Sequence, residues 1–196
     1  MDDFLIYLRL GFTHIIDWGG TDHILFILAL ALRYTWKDGK QLLILVTAFT
    51  IGHSITLALS TMDWIRISPA VIELLIPITI LLTAFVNFGV KSFRFESKYP
   101  LIYFLALFFG LIHGLGFSSY LKSLIGKEES IIVPLFTFNL GLELGQLLIV
   151  SLILIISFIF VSIFKVKRLR YLQIGSGIAI VFAANMVFER IAPIIK

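Results

Sequence analysis

IIVPLFTFNLGLELGQLLIVSLILIISFIFVSIF (131–164) is 34 residues long and carries one charged side chain, Glu143. As a helix it would extend about 50 Å, against a bilayer hydrocarbon core of about 30 Å. It reads as a membrane span that tilts, protrudes or breaks near Gly141 and Gly145. Working outward, five further apolar runs appear: 171–191, 100–121, 68–90 with Pro69 in its first turn, 41–60, and a short one at 21–34. Residues 3–18 (DFLIYLRLGFTHIIDW) are apolar but hold Arg9, Gly11, His14 and Asp17. They read as an interfacial or re-entrant segment from which the short first span can borrow length. The expected fold is an all-α, polytopic transmembrane helical bundle of about six spans, in a single domain (1–196).

Composition agrees. Hydrophobic residues make up 59% of the chain and charged ones 14%, where a soluble domain carries about 25% charged. The net charge of +4 lies mainly in loops and points to lipid headgroups as the counter-charge. No basic, aromatic-interleaved patch suggests nucleic acid. The absence of cysteine excludes disulfides, thiolate metal sites and cysteine nucleophiles. Met1-Asp2-Asp3 lacks the basic n-region of a signal peptide, so no processing is expected. No nucleotide-binding motif is present, which argues against ATP-driven transport by this chain alone.

The loops set an orientation. Arg33, Lys37, Lys40, Lys91, Arg94, Lys98, Lys165, Lys167, Arg168 and Arg170 fall on one side, and Arg66, Lys122 and Lys127 on the other. The basic-rich side is expected in the cytoplasm, with both termini outside. Threaded this way, the ionisable residues within spans occupy the outer half: His23, His53, Glu73, His113 and, near mid-depth, Glu143. His14 and Asp22 lie at the outer surface.

Ionisable groups inside a membrane are costly and usually functional. Asn139, Glu143 and Gln146 share one helix face, and Thr50, His53 and Thr56 form a polar strip. Gly110 and Gly114 bracket His113, and Gly141 and Gly145 bracket Glu143, spacings that let helix backbones approach closely. Imidazole with carboxylate suits borderline divalent metals such as Ni²⁺, Co²⁺, Zn²⁺ or Fe²⁺. The expected ligands are His14, Asp22, His23, His53, His113 and Glu143. Glu73 would supply charge balance or support, and Asn139, Thr50 and Ser118, with Asp22, would orient the histidines. The same residues permit a zinc-dependent intramembrane hydrolase, a proton path, or a structural or accessory subunit whose polar layer only ties helices together. A homo-oligomer is compatible with all of these.

GFTHIIDWGGTDHILFILAL (11–30), TAFTIGHSITLAL (47–59), IELLIPITI (72–80), FGLIHGLGFS (109–118) and FNLGLELGQL (138–147) together resemble the HupE/UreJ family of small membrane proteins. The resemblance implies a nickel (or cobalt) permease or metal-uptake accessory in the bacterial cytoplasmic membrane, with lipid and a metal ion as partners. It puts weight on His14, the Asp22–His23 pair and Glu143. In one departure, seven residues, Ile15 to Thr21, separate His14 from that pair, more than in the family pattern.

Overall fold

The computed structural model describes residues 2–17, 20–91, 100–125 and 130–195; Arg94, Lys98 and Lys127 lie outside them. The described residues form seven α-helices and no strands: α1 (Asp2–Ile16), α2 (Thr21–Ala31), α3 (Gly39–Thr61), α4 (Pro69–Phe88), α5 (Pro100–Ile125), α6 (Ile132–Phe158) and α7 (Arg168–Ile195). Five of these, α3 to α7, are long and apolar enough to cross a membrane. The sixth expected span is the 11-residue α2, about 16 Å long, short of the bilayer core.

Glycine sets the closest packing. A Cβ on Gly52 would strike the Leu107 carbonyl, and one on Gly110 the Phe49 carbonyl. Gly114 lies against His53 and Thr56 further along, and Thr56 Oγ1 donates to the Leu111 carbonyl at 2.7 Å. Residue numbers rise together, so α3 and α5 are parallel. The same crossing recurs between α1 and α6. Gly11 meets the Phe138 carbonyl, Gly141 meets the Leu8 carbonyl, and Gly145 lies against Phe12 and Ile15. In register, Gly11 matches Gly52, Gly141 matches Gly110 and Gly145 matches Gly114. The α1–α6 pair is therefore also parallel.

The two pairs run in opposite directions. From Ile125 to Ile132 the chain takes seven steps, at most about 25 Å of reach. That is too short to return along a 26-residue helix of about 39 Å, so α6 turns back antiparallel to α5. The molecule thus contains one helix crossing twice, the second copy inverted. No fixed-period repeat is visible in the sequence, because the partners are not consecutive.

Direction also explains the short helices. Along α2, His23 lies by His53 and Phe26 by Phe49, so α2 is antiparallel to α3. It therefore runs the same way as α1, and the two helices, α1 ending at Ile16 and α2 starting at Thr21, act as two halves of one span. Together they measure about 39 Å by helix rise, enough to cross. The long fifth run does not break at Gly141 or Gly145; those glycines seat α1. Its irregularity comes at the far end, where a π-helical turn covers Ile159–Ile163.

The remaining elements complete the bundle. Pro69 opens α4, and Pro77 sits inside it. Helix α4 packs on α7, with α2 between α4, α6 and α7. Arg168 Nη2 donates to the Tyr34 carbonyl at 2.6 Å, joining the start of α7 to the end of α2. Phe26, Phe49, Leu57, Ile80, Leu121, Phe138 and Leu142 form the core, while Leu82, Val86, Phe104, Leu152, Val181 and Phe182 face outward. An outer surface this apolar suits lipid, and the helices satisfy their own backbone groups as a bilayer requires.

Candidate metal centre

His14 lies in the last turn of α1 and His23 in the first turn of α2, so two imidazoles stand where one helix ends and the next begins. His53 projects from α3 beside the Gly52 crossing, and His113 from the matching crossing on α5. Nitrogens of His14, His23 and His53 lie within 4.8 Å of one another. Ring centroids are 4.7 Å apart for His14–His23, 6.3 Å for His14–His53 and 6.4 Å for His23–His53. His113 joins from the other side, 5.2 Å from His23. Nitrogens sharing one ion sit about 3–3.5 Å apart, given bonds near 2.0–2.1 Å. Shifts of about an ångström per ring, from rotamer adjustment, would close the trio on a single ion.

Burial makes the cluster unusual. His53 is 0% exposed, His113 1% and His23 5%. Among the described residues, both ring nitrogens of His23 and His53, Nε2 of His14 and Nδ1 of His113 are buried without a hydrogen-bond partner. Buried polar atoms are normally paired, because stranding one costs about 1–3 kcal/mol. His23 Nδ1 does lie 3.0 Å from Asp22 Oδ1, but without a hydrogen bond's alignment. That oxygen accepts the His23 backbone N–H at 2.9 Å. His113 Nε2 is 3.5 Å from Thr79 Oγ1. Aromatic rings wall the cluster: Phe117 is 4.1 Å from His14 and Phe26 is 5.1 Å from His113, while Phe138 stacks on His53 at 6.3 Å.

A cavity of about 380 Å³ reaches the cluster. His14, Asp22, His23, Glu73, His113 and Arg190 are among its lining residues. Four of the six expected ligands thus share one space, with His53 behind it. Asn139 faces His53 from α6; its Nδ2 donates to the Leu135 carbonyl at 2.7 Å, and its buried Oδ1 is unpaired.

Other expected residues sit elsewhere. Glu143 is half-buried and accepts a hydrogen bond from Thr47 Oγ1 at 2.7 Å, outside the histidine trio. Thr50 Oγ1 donates to Gln146 Oε1 at 2.8 Å. Ser118 accepts from Ser60 at 2.8 Å and donates to the Leu115 carbonyl. Neither Thr50 nor Ser118 hydrogen-bonds a histidine. Two residues not singled out from sequence do belong here. Thr79 reaches His113, and Arg190, near the end of α7, lies 3.6 Å from Asp22 Oδ2. A lone arginine ending the last apolar run was the available signal for Arg190; nothing local marked Thr79.

A model of the HupE / UreJ protein family matches residues 1–190. No curated protein and no solved structure matches the chain.

Proposed function

Because the chain belongs to the HupE/UreJ family, we propose that it carries a divalent transition-metal cation, nickel foremost, across the membrane. The observation that carries this reading is the trio His14, His23 and His53, three neutral-type donors within 4.8 Å with buried, unpartnered nitrogens. Such nitrogens are costly in a folded core unless something binds them, and a borderline metal is the natural acceptor of imidazole lone pairs. His113 and Asp22 add a fourth nitrogen and a charge. Glu143, held by Thr47, offsets the cation's charge from one side of α6.

The architecture favours carriage over catalysis. Many secondary transporters bind cargo near mid-membrane, at a broken helix and between inverted repeats. Here the trio lies at the break between α1 and α2 and between two inverted glycine crossings. The ion would enter from the extracytoplasmic face through the cavity lined by Asp22 and Glu73. The basic loops would face a bacterial cytoplasm, with both termini outside. Release inward would follow a shift of one glycine-locked pair against the other.

Calorimetry with purified full-length protein is expected to show nickel binding that His23→Ala and His53→Ala abolish. Proteoliposomes should take up ⁶³Ni. Wild-type affinity in both variants would overturn the ligand assignment. Tightly held zinc with peptide or lipid turnover would replace carriage by hydrolysis.

A further inference from the structure

We propose that Arg190 is a tethered surrogate cation: it balances Asp22 when no metal is bound and gives way when a metal arrives. This rests on the carrier reading above.

Two contacts hold Arg190 over the site. Nη2 lies 3.6 Å from Asp22 Oδ2, and Nη1 donates to the Glu73 backbone carbonyl. The second contact has a specific cause. Pro77, four residues after Glu73 in α4, has no N–H, so the Glu73 carbonyl loses its usual helical partner. Arg190 supplies a substitute donor, and α7 is thereby pinned to α4 at the cavity's edge. The guanidinium is one-quarter exposed and the Asp22 side chain 13% exposed.

Asp22 has its two oxygens committed in different directions. Oδ1 takes the His23 backbone N–H, while Oδ2 faces Arg190. A divalent ion on His14 and His23 would sit beside this same carboxylate. Two cations would then compete for one poorly hydrated anion, and the guanidinium must retreat. The Glu73 carboxylate, on the same cavity, offers it a second position. Without metal, Arg190 returns and Asp22 is paired again. A lone buried carboxylate is costly to carry through an apolar barrier, and a paired one is far less so. Arg190 is thus a positioning residue for the return of the unloaded carrier, not a metal ligand.

The test uses full-length protein in proteoliposomes with ⁶³Ni, and calorimetry in detergent. Arg190→Gln is expected to tighten nickel binding about tenfold, and to have no such effect when Asp22→Asn is also present. Nickel–nickel exchange should persist in Arg190→Gln while net uptake falls. Arg190→Lys, which keeps the charge, should recover net uptake. A second readout needs no metal. The chain has no cysteine, so Gly116→Cys on the cavity wall reports access through thiol labelling. Arg190→Gln should speed labelling by a cationic reagent more than by a neutral one of similar size. Unchanged nickel affinity in Arg190→Gln, or an equal effect with and without Asp22, overturns the proposal while leaving the carrier reading intact. Wild-type protein that neither binds nor exchanges nickel overturns both.

Discussion

Replacing His53 by leucine should stabilise the metal-free protein while removing its response to nickel. The His53 ring is 0% exposed, and neither nitrogen has a hydrogen-bond partner. Each stranded nitrogen costs about 1–3 kcal/mol. Asn139 beside the ring favours the low end, so removing both nitrogens should gain about 2 kcal/mol. Leucine is close to histidine in volume and suits walls made by Phe49 and Phe138. For a chain of this size the melting temperature should rise by about 4–8 °C. Nickel acts oppositely. At a hundred times its dissociation constant it should stabilise wild-type protein by about 2.7 kcal/mol, or about 5–11 °C. His53→Leu should gain nothing. The assay is thermal unfolding in detergent with a chelator and again with nickel, followed by circular dichroism. A His53→Leu variant that melts below wild type in chelator would refute the reasoning, because it would show that the imidazole is a structural tie.

Other expectations follow from the same geometry. Asn139→Ala, which removes the amide facing His53, should weaken nickel binding by about 10–100-fold, the range for residues that support ligands, Glu143→Gln by less because Glu143 bonds Thr47 and no histidine, and His23→Ala by more than either; calorimetry orders the three. Gly52→Leu and Gly141→Leu force side chains into the Leu107 and Leu8 carbonyls, at a cost of about 3 kcal/mol or more. Gly39→Ala meets nothing within 4 Å and should raise stability by about 0.4–1 kcal/mol; melting curves compare the three. Lys165 holds a left-handed φ of 56°, so Lys165→Gly should relieve about 1 kcal/mol, read the same way.

Much of the site was legible one residue at a time. His14, His23, His53 and His113 stood out because imidazole is rare among apolar neighbours, and the glycine spacings at 110/114 and 141/145 correctly flagged close backbone contacts. What pairing could not be read was which helix each glycine would meet. Glu143 shares a helix face with Asn139, yet only Asn139 faces His53. A helix turns about 100° per residue, so one turn along the same face changes depth by about 5 Å. That is enough to move a carboxylate from the trio to Thr47. Arg190 escaped notice for a related reason, since its partners, Asp22 and the Glu73 carbonyl, are distant in sequence and one exists only because of Pro77.

The amino-acid order alone determines that this is a membrane-embedded helical protein with polar groups gathered in it. Hydropathy and helix rise are local, one-dimensional properties, and the cost of burying charge applies wherever the chain goes. The tertiary structure decided that α1 and α2 form one interrupted span, that two crossings repeat with opposite sense, and that three imidazoles converge there. Those outcomes depend on which glycine surfaces meet and at what rotation. They belong to pairs of helices and are written in no single one.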